Sequence, residues 1–343
     1  MNFKSKKFYI GLFFSALLIY LIIHQLDFSE MAATFKKCNP KMLLLAVPVY
    51  FLSYITRAVR WKYLMMDKEN YKVPTLMGII FIGYILNSFL PARIGDFYRA
   101  YLAGEKFGTS KVTVFSSIVL ERILDGIVVL SMLLLSILFF FHQPWMYKLA
   151  FSVAALFGGS FILVYCLFKY SNTDVLAQKL KNFCLKYPKI FKEKFINFLD
   201  NIHKHIKSFI TGFEVVNSPK NLSISLLATA CGWTVETFFI LIIIHSFSGL
   251  SIGFPAALLT MCLGVFSALI PSVSVHAGPY QYAFILGLGA YGVSKEIAIT
   301  IALTTQFLMI SFIVICGLIA LVRYHIGFDN IKDVETKLDK TEN

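Results

Sequence analysis

Long apolar stretches with few or no charged residues are the feature of this sequence that most restricts its fold. A helix needs about 17–25 predominantly apolar residues to cross the hydrocarbon core of a bilayer. The 343 residues contain eight runs close to that length, at about 8–24, 42–59, 75–90, 112–141, 146–168, 222–246, 253–270 and 296–322. Only 15% of the residues are charged, against roughly 25% in soluble domains. The sequence therefore predicts an all-α polytopic membrane protein.

The distribution of Lys and Arg predicts how these runs cross the membrane. Cytoplasmic loops are enriched in Lys and Arg, and residues 169–221 carry ten lysines. If 74–104 and 253–290 each enter and leave the membrane from one side, 26 of the 32 basic residues lie inside, whereas eight full spans would place many of them outside. We therefore predict about six full spans, two oppositely oriented re-entrant hairpins and cytoplasmic N- and C-termini, in the cell (inner) membrane. No small-x-small cleavage site follows the run 8–24, so we expect an uncleaved first span.

The two hairpins give the single membrane domain, residues 1–343, an internal organisation. Repeat A, at about 42–141, and repeat B, at about 222–322, have opposite orientations, and paired broken helices in inverted repeats point to a transporter site near the midplane. Residues 169–221 are predicted to form a cytoplasmic basic amphipathic helical insert on the inner leaflet; helices packed on the protein's own underside are the alternative. Residues 324–343 form a charged cytoplasmic tail.

Polar residues follow the break in the first hairpin. In "NSFLPARIGDFYR", Pro91 and Gly95 interrupt the helix, and Arg93, Asp96 and Arg99 follow within a few positions. Two guanidinium groups beside one carboxylate suit a phosphate group, whose oxygens match the fork of guanidinium donors. The sequence thus predicts a site for a phosphate or a lipid headgroup; a cytoplasmic loop with solvated charges is the alternative.

Charged residues also lie inside the predicted spans. In "VLERILDGIVVL", Glu121, Arg122 and Asp125 occupy one span, where a central charge costs on the order of 3 kcal/mol. They share neighbouring positions on the helix at i,i+3 and i,i+4. Either they form an ion pair that locks the helix to a neighbour, or they line a cavity in which a carboxylate accepts a proton or a cation. Glu236 is a lone acid in another span, and an arginine of the first repeat is its candidate partner.

The second hairpin, "SALIPSVSVHAGPYQY", has a similar composition. Pro271 and Gly278 are its predicted breaks, and Tyr280 and Gln281 are predicted to line it.

Aromatic and basic residues near 57–61 mark the inner end of the span 42–59. Arg57, Arg60 and Trp61 are most simply interpreted as interfacial anchors, and contact with a lipid headgroup is the alternative.

Several other functions find no support in the sequence. The six cysteines are scattered without a CxxC pair and resemble packing residues. "GLGAYG", residues 287–292, matches GxGxxG without the strand that a dinucleotide site requires. The net charge of +13 is typical of cytoplasmic loops facing anionic lipid. We therefore expect no metal or cofactor, no nucleic-acid partner and no enzymatic activity of the chain by itself.

Four blocks of the sequence resemble one known family. They are "RAVRWKYLM", "GYILNSFLPARIGDFYRAYL", "ERILDGIVVL" and "IPSVSVHAGPYQYAFILGLGAYGVSKEIAITIAL", and over roughly 45–325 the chain is similar to the flippase-like membrane domain of lysylphosphatidylglycerol synthases, as a stand-alone member. The first hairpin pattern of that family matches Asn87, Pro91, Arg93, Gly95 and Arg99, with Asp96 in place of the usual Glu. The second matches Pro271, Gly278, Tyr280 and Gln281, while Ser274 and Val275 or their neighbours replace a Pro-Gly pair.

The resemblance implies movement of a lipid or lipid-linked headgroup between leaflets. Members that synthesise aminoacyl-lipids carry a soluble synthase domain after the membrane part, so we expect this chain not to perform that synthesis. The expected substrate is an anionic phospholipid or a polyprenyl-phosphate-linked lipid, with substrate-binding residues Asn87, Arg93, Asp96, Arg99, Glu121, Arg122, Asp125, Glu236, Tyr280 and Gln281. The alternatives are a membrane subunit that presents a lipid carrier to a partner glycosyltransferase or lipid synthase, a transferase acting on a lipid phosphate, and a transporter of small ions.

Overall fold

The computed structural model of the chain describes residues 35–36, 38–66, 71–89, 93–139, 144–170, 203–247, 250, 252–270 and 278–324. Their principal helices are α1 (Pro40–Leu64), α2 (Val73–Phe89), α3 (Ile94–Phe107), α4 (Lys111–Phe139), α5 (Pro144–Tyr170), α6 (Pro219–Ser246), α7 (Phe254–Ser267), α8 (Pro279–Gly289) and α9 (Lys295–Arg323). Residues 203–211 are also helical and lead through a 3₁₀ turn, Glu214–Asn217, into α6. The fold is all-α, as the sequence predicts.

Five helices of the described chain are long and apolar enough to cross a membrane. These are α1, α4, α6 and α9 over their whole lengths, and α5 over Pro144–Leu163. Helices α2 and α7 are apolar but shorter, at 17 and 14 residues. The prediction of a polytopic membrane protein is therefore confirmed. The first predicted span, 8–24, lies outside the described residues, and the re-entrant geometry of the pairs α2–α3 and α7–α8 stays a prediction.

Local sequence signals explain where several helices begin and end. Asn39 precedes α1 and its side chain accepts a hydrogen bond from the backbone N–H of Lys41 over 3.0 Å, while Pro40 occupies the first turn. Ser294 caps α9 in the same way through the N–H of Ile297. Such side chains satisfy N–H groups that have no partner inside the helix. Gly108 ends α3 in a left-handed conformation (φ 63°) and turns the chain into α4.

The two halves of the chain pack with the same pattern of neighbours. Helix α1 lies against α6 over the most extensive interface of the structure. Each of the neighbours α1–α2, α2–α3 and α3–α4 in the first half has its equivalent in α6–α7, α7–α8 and α8–α9 in the second. Between the halves, α4 packs on α7 as α9 packs on α2. Exchanging α1–α4 with α6–α9 therefore leaves the neighbours within and between these two halves unchanged, with the α1–α6 interface at the centre, whereas α5, packed on α4, has no counterpart among the described residues.

The ends of α1 and α6 are tied together by polar contacts. The backbone N–H of Asn39 donates to the carbonyl of Ser246 over 2.7 Å, and Cys38 Sγ lies 3.3 Å from Ser246 Oγ. At the opposite end, the Asn221 amide contacts the Met66 sulfur at 3.7 Å. The two helices thus run antiparallel along their whole lengths.

The described part of the insert packs on the protein itself. Phe213 and Val215 are buried in a cluster with Leu64 and Leu120. Thr113 Oγ1 donates to the carbonyl of Ser208 over 2.8 Å. Residues 203–217 are therefore held against α1 and α4, whereas 171–202 lie outside the described residues.

Candidate functional site

The first hairpin is closed by two glycines that face each other. A Cβ on Gly95 would lie 1.9 Å from the carbonyl oxygen of Gly83, so α3 approaches α2 at a distance that only glycine permits. A Cβ on Gly83 would in turn meet the aliphatic stem of Arg99 at 2.3 Å. The left-handed residue of this turn is Arg93, with φ 55°, whereas Gly95 is helical. Pro91 and Pro271, the predicted proline breaks, lie outside the described residues.

Arg60 occupies the centre of a buried ionic network. Its guanidinium pairs with Glu121 Oε1 at 2.8 Å and donates a hydrogen bond to Asp125 Oδ1. The side chains of Arg60 and Glu121 are 2% and 1% exposed. Because the two acids are four residues apart on α4, they face α1 together, and one arginine of α1 can bind both.

Arg99 joins the hairpin to this network. Its Nη2 donates to Glu121 Oε2 over 3.1 Å, and its Nη1 lies 3.8 Å from Asp96 Oδ1. The guanidinium stands 4.3 Å above the ring of Trp61, a cation–π geometry. The side chain of Arg99 is fully buried. It extends from α3 and is enclosed by α1, α2 and α4.

Arg122 lies at the open edge of the network. Its side chain is 32% exposed, and its nitrogens lie 3.4 Å from Asp96, 3.8 Å from Glu121 and 3.8 Å from Asp125. Charge-assisted hydrogen bonds are normally about 2.7–2.9 Å, so these contacts are loose. Arg93 is exposed and interacts electrostatically with Arg122 and Asp96. Asn87 donates to Asp96 Oδ1 over 3.2 Å, which brings the polar residues of the hairpin together on this side.

Arg57 and Glu236 form a second ion pair across the α1–α6 interface. Arg57 also donates to the Tyr84 hydroxyl over 3.0 Å, and its guanidinium lies 5.0 Å from the ring centroid of Trp233. The indole Nε1 of Trp233 donates to Asp125 Oδ1 over 2.9 Å. Trp233 therefore connects this pair with the network around Arg60.

The charges of the ionic network are balanced, but some of its guanidinium hydrogen-bond donors have no partner. Four arginines (Arg57, Arg60, Arg99 and Arg122) meet four carboxylates (Asp96, Glu121, Asp125 and Glu236). Within the described chain, the buried Nε atoms of all four arginines lack a hydrogen-bond partner. A buried donor without a partner costs about 1–3 kcal/mol, so each Nε–H is a donor that an anion oxygen or a water molecule can satisfy.

The second hairpin contributes polar residues of a different character. Gly278 has φ 93°, and its N–H donates to Gln281 Oε1 over 2.7 Å. The amide of Gln281 donates in turn to Gln306 on α9 over 2.5 Å. The Tyr280 hydroxyl lies 3.8 Å from the sulfur of Met309. Gln281 thus caps α8 and binds it to α9, apart from the ion pairs around Arg60.

The interpretation of Arg57, Arg60 and Trp61 as interfacial anchors is wrong. Arg60 and Trp61 are almost fully inaccessible, because α3, α4 and α6 surround this part of α1, and Arg57 pairs with Glu236 on α6. The sequence holds a signal that could have revealed this: "ERILD" carries two acids and one arginine, so a second cation has to come from elsewhere. The predicted arginine partner of Glu236 is confirmed as Arg57.

Fold and site together define a polytopic all-α membrane protein with a charge-balanced ionic network in its core. Residues 8–317 match the family described as the lysylphosphatidylglycerol synthase TM region, and the chain belongs to this family.

Two known proteins are similar to this chain in sequence. A UPF0104 membrane protein of Methanocaldococcus jannaschii is 24% identical over 334 residues, which cover 94% of this chain and 96% of that protein. The glycosyltransferase AglD of Haloferax volcanii is 28% identical over 116 residues, 34% of this chain but only 19% of that protein. No solved structure matches the chain.

Proposed function

We propose that this protein moves a phosphate-bearing lipid, either an anionic phospholipid or a polyprenyl-phosphate-linked lipid, between the two leaflets of the membrane. The lipid is carried without chemical change, so the chain acts as a transporter and not as an enzyme. The observation that carries this proposal is the position of Arg122 at the open edge of a buried, charge-balanced network. Membership of a family named for lipid synthases supports the lipid as substrate.

A phosphate headgroup needs such a network in order to cross. An ionised group in the hydrocarbon core is strongly disfavoured unless it is paired and hydrogen-bonded. Each of the four arginines is neutralised by a carboxylate, which keeps the cations stable without substrate. The headgroup phosphate then takes the place of a carboxylate, and the unused guanidinium donors provide additional hydrogen bonds.

Arg122 and Arg93 are the residues we assign to phosphate binding. Arg122 makes only loose contacts with its three carboxylate neighbours, so exchanging Asp96 for a phosphate oxygen costs little. Arg93 is exposed beside it and unbalanced by a carboxylate of its own among the ion pairs of the described chain. Arg99, which the sequence suggested as the second gripping residue, is fully enclosed, and we assign it to positioning Asp96 and Glu121.

The packing of the two halves supports an alternating mechanism. In many transporters with inverted repeats, one unit rocks against the other around the substrate site. The neighbours of α1–α4 are reproduced by α6–α9, and each half contains one pair of short helices. We propose that these halves are the repeats A and B, and that they move about the α1–α6 interface.

Lipid exchange in liposomes tests the proposal. Purified protein is reconstituted with NBD-labelled phosphatidylglycerol or NBD-labelled polyprenyl phosphate, and dithionite then reports which labels reach the outer leaflet. We expect faster exchange than in protein-free liposomes, reduced at least about tenfold in Arg122→Gln and Arg93→Gln, because each loses a charge-assisted contact with phosphate. Lys111→Gln is the matched control, since Lys111 forms an exposed pair with Glu105.

The results for the variants decide between a site and a general leak. Equal exchange in wild type, Arg122→Gln and Arg93→Gln would contradict the assignment, as would equal exchange of NBD-glucosylceramide, which has no phosphate. Size-exclusion profiles confirm that each variant is folded before its rate is compared.

The partial match to the glycosyltransferase AglD favours one alternative. In it, the chain is a membrane subunit that presents a lipid carrier to a separate glycosyltransferase or lipid-modifying enzyme. This function requires lipid binding at Arg122 without exchange between leaflets. Binding of NBD-labelled polyprenyl phosphate by wild type and not by Arg122→Gln, with no exchange in liposomes, would support the alternative.

A further inference from the structure

Glu236 differs from the other three carboxylates of the site in the number of arginines that hold it. Glu121 lies within 4 Å of Arg60, Arg99 and Arg122. In the described chain the ion-pair partner of Glu236 is Arg57 alone. Its negative charge therefore depends on a single cation.

The remaining carboxylates are held more firmly. Asp125 pairs with Arg60 and Arg122 and accepts a hydrogen bond from Trp233. Asp96 lies near Arg99 and Arg122 and accepts from Asn87. If one arginine leaves Asp125 or Asp96, a second arginine still lies beside that carboxylate. If Arg57 leaves Glu236, no arginine among its ion-pair partners in the described chain remains.

Among the described residues, the elements around Glu236 supply no second ion-pair partner, since Arg60, which borders the same cavity as Arg57, is paired with Glu121 and Asp125. Helix α1 presents Arg57, Tyr50 and Tyr54 to Glu236, and α8 presents Tyr280. Tyr84 of α2 and Asp125 of α4 interact with Arg57. Helix α7 contains no Asp, Glu, Lys, Arg or His, and those of α9 are confined to its ends. The 3₁₀ turn carries Glu214 at the far end of α6. A deprotonated Glu236 without Arg57 would thus face the phenol groups of Tyr50, Tyr54 and Tyr280.

Arg57 is placed so that it can leave Glu236 for another anion. It is 13% exposed and borders a small cavity between α1 and α6, together with Thr56, Arg60, Thr229, Gly232 and Trp233. Its Nε is buried and unused within the described residues. The rings of Tyr54, Tyr84 and Trp233 surround its guanidinium at 5.0–5.8 Å, so the cation stays stabilised while it changes partners.

We propose that Glu236 is a proton-binding site that couples the passage of each phosphate group to the uptake of one proton. The inference rests on the lipid transport proposed above. When the phosphate passes from Arg122 and Arg93 to Arg57, the carboxylate of Glu236 loses its cation in a water-poor environment and takes a proton from solvent to become a neutral carboxylic acid. When the phosphate leaves, Arg57 returns, Glu236 releases the proton, and the original pair forms again. One negative headgroup thus crosses with one proton.

The distribution of a labelled lipid under a pH gradient tests the coupling. Wild-type protein is reconstituted with trace NBD-phosphatidylglycerol in vesicles whose interior is one pH unit more acidic than the exterior. Protons that move outward carry lipid with them, so the ratio of outer to inner label should rise about tenfold for one-to-one coupling, since one pH unit is a tenfold ratio of protons. Protein-free vesicles give the distribution that the gradient itself produces.

Proton uptake on binding provides a second, independent readout. In weakly buffered detergent solution, dihexanoyl-phosphatidylglycerol is added and a pH dye follows the proton concentration. We expect wild type and Glu236→Asp to take up one proton per bound lipid and Glu236→Gln to take up none. Glu105→Gln, which neutralises an exposed acid, is the matched control and should behave as wild type.

The outcomes separate this inference from the proposed function. Absence of exchange by wild type contradicts lipid transport itself. Exchange without a gradient response and without proton uptake leaves transport in place and overturns the coupling. Uptake that persists in Glu236→Gln and disappears in Asp96→Asn would overturn the assignment to Glu236. If Glu236→Gln does not fold, the gradient response and the proton uptake of wild type and Glu236→Asp still show whether transport is coupled to protons. Asp96→Asn still tests whether another acid binds the proton.

Discussion

The indole of Trp233 on α6 donates a hydrogen bond to Asp125 on α4 over 2.9 Å. The same ring packs under Arg57 on α1. One side chain thereby joins the ion pair of the α1–α6 interface to the network around Arg60.

Removing Arg60 should strongly destabilise the protein. Arg60→Met leaves Glu121 and Asp125 buried with less positive charge, and losing one partner of a buried ion pair costs about 3–5 kcal/mol. Thermal unfolding in detergent should show a large fall in Tm. Lys111→Met removes a cation from an exposed pair, where the expected cost is below about 1 kcal/mol. Similar Tm values for the two variants would contradict the network.

Replacing Trp233 by Phe should separate its hydrogen bond from its ring. Phe keeps an aromatic ring near Arg57 but cannot donate to Asp125, and hydrogen bonds to charged groups contribute about 1.5–3 kcal/mol. The free energy of unfolding should fall by that amount. Trp233→Phe combined with Asp125→Asn should cost less than the sum of the two single changes. Additive costs would show that the two side chains do not interact.

The first hairpin should not tolerate a side chain at Gly95. In Gly95→Ala the new Cβ would overlap the Gly83 carbonyl, so α2 and α3 have to separate and Arg99 loses its position. Lipid exchange and Tm should both decrease. Gly159→Ala on α5 is the control, because no atom lies within 4 Å of its added Cβ and Ala favours a helix by up to about 1 kcal/mol.

A disulfide should form between the ends of α1 and α6. Ser246→Cys places a second thiol beside Cys38, whose sulfur already lies 3.3 Å from Ser246 Oγ, and mild oxidation should join them. Alkylation with a maleimide-PEG then distinguishes joined from free thiols on a gel, with Ser246→Ala as the control. Two thiols that remain free under oxidant would contradict this contact. If α1 and α6 move relative to each other in transport, the joined protein exchanges lipid more slowly than its reduced form.

Local physical chemistry made much of the fold predictable. Each apolar run from 42 onward that the structure describes corresponds to a helix, with ends displaced by a few residues, because in a bilayer the backbone has to satisfy its own hydrogen bonds and length and hydropathy suffice to locate a span. Helix α1 extends past the predicted end at 59 to Leu64. Arg60 ended the predicted run, but it is neutralised by Glu121 and Asp125 on α4.

The sequence by itself determined that the chain is an all-α polytopic membrane protein and that Glu121, Arg122 and Asp125 lie on adjoining positions of one helix, since both follow from hydropathy and helical spacing. Only the tertiary structure decided which charges meet. Arg60 and Glu121 are 61 positions apart, and no local rule relates them; their pairing depends on how α1 packs against α4. The same packing encloses Arg99 and leaves Arg122 partly exposed, because solvent access belongs to the assembled helices and not to the residue.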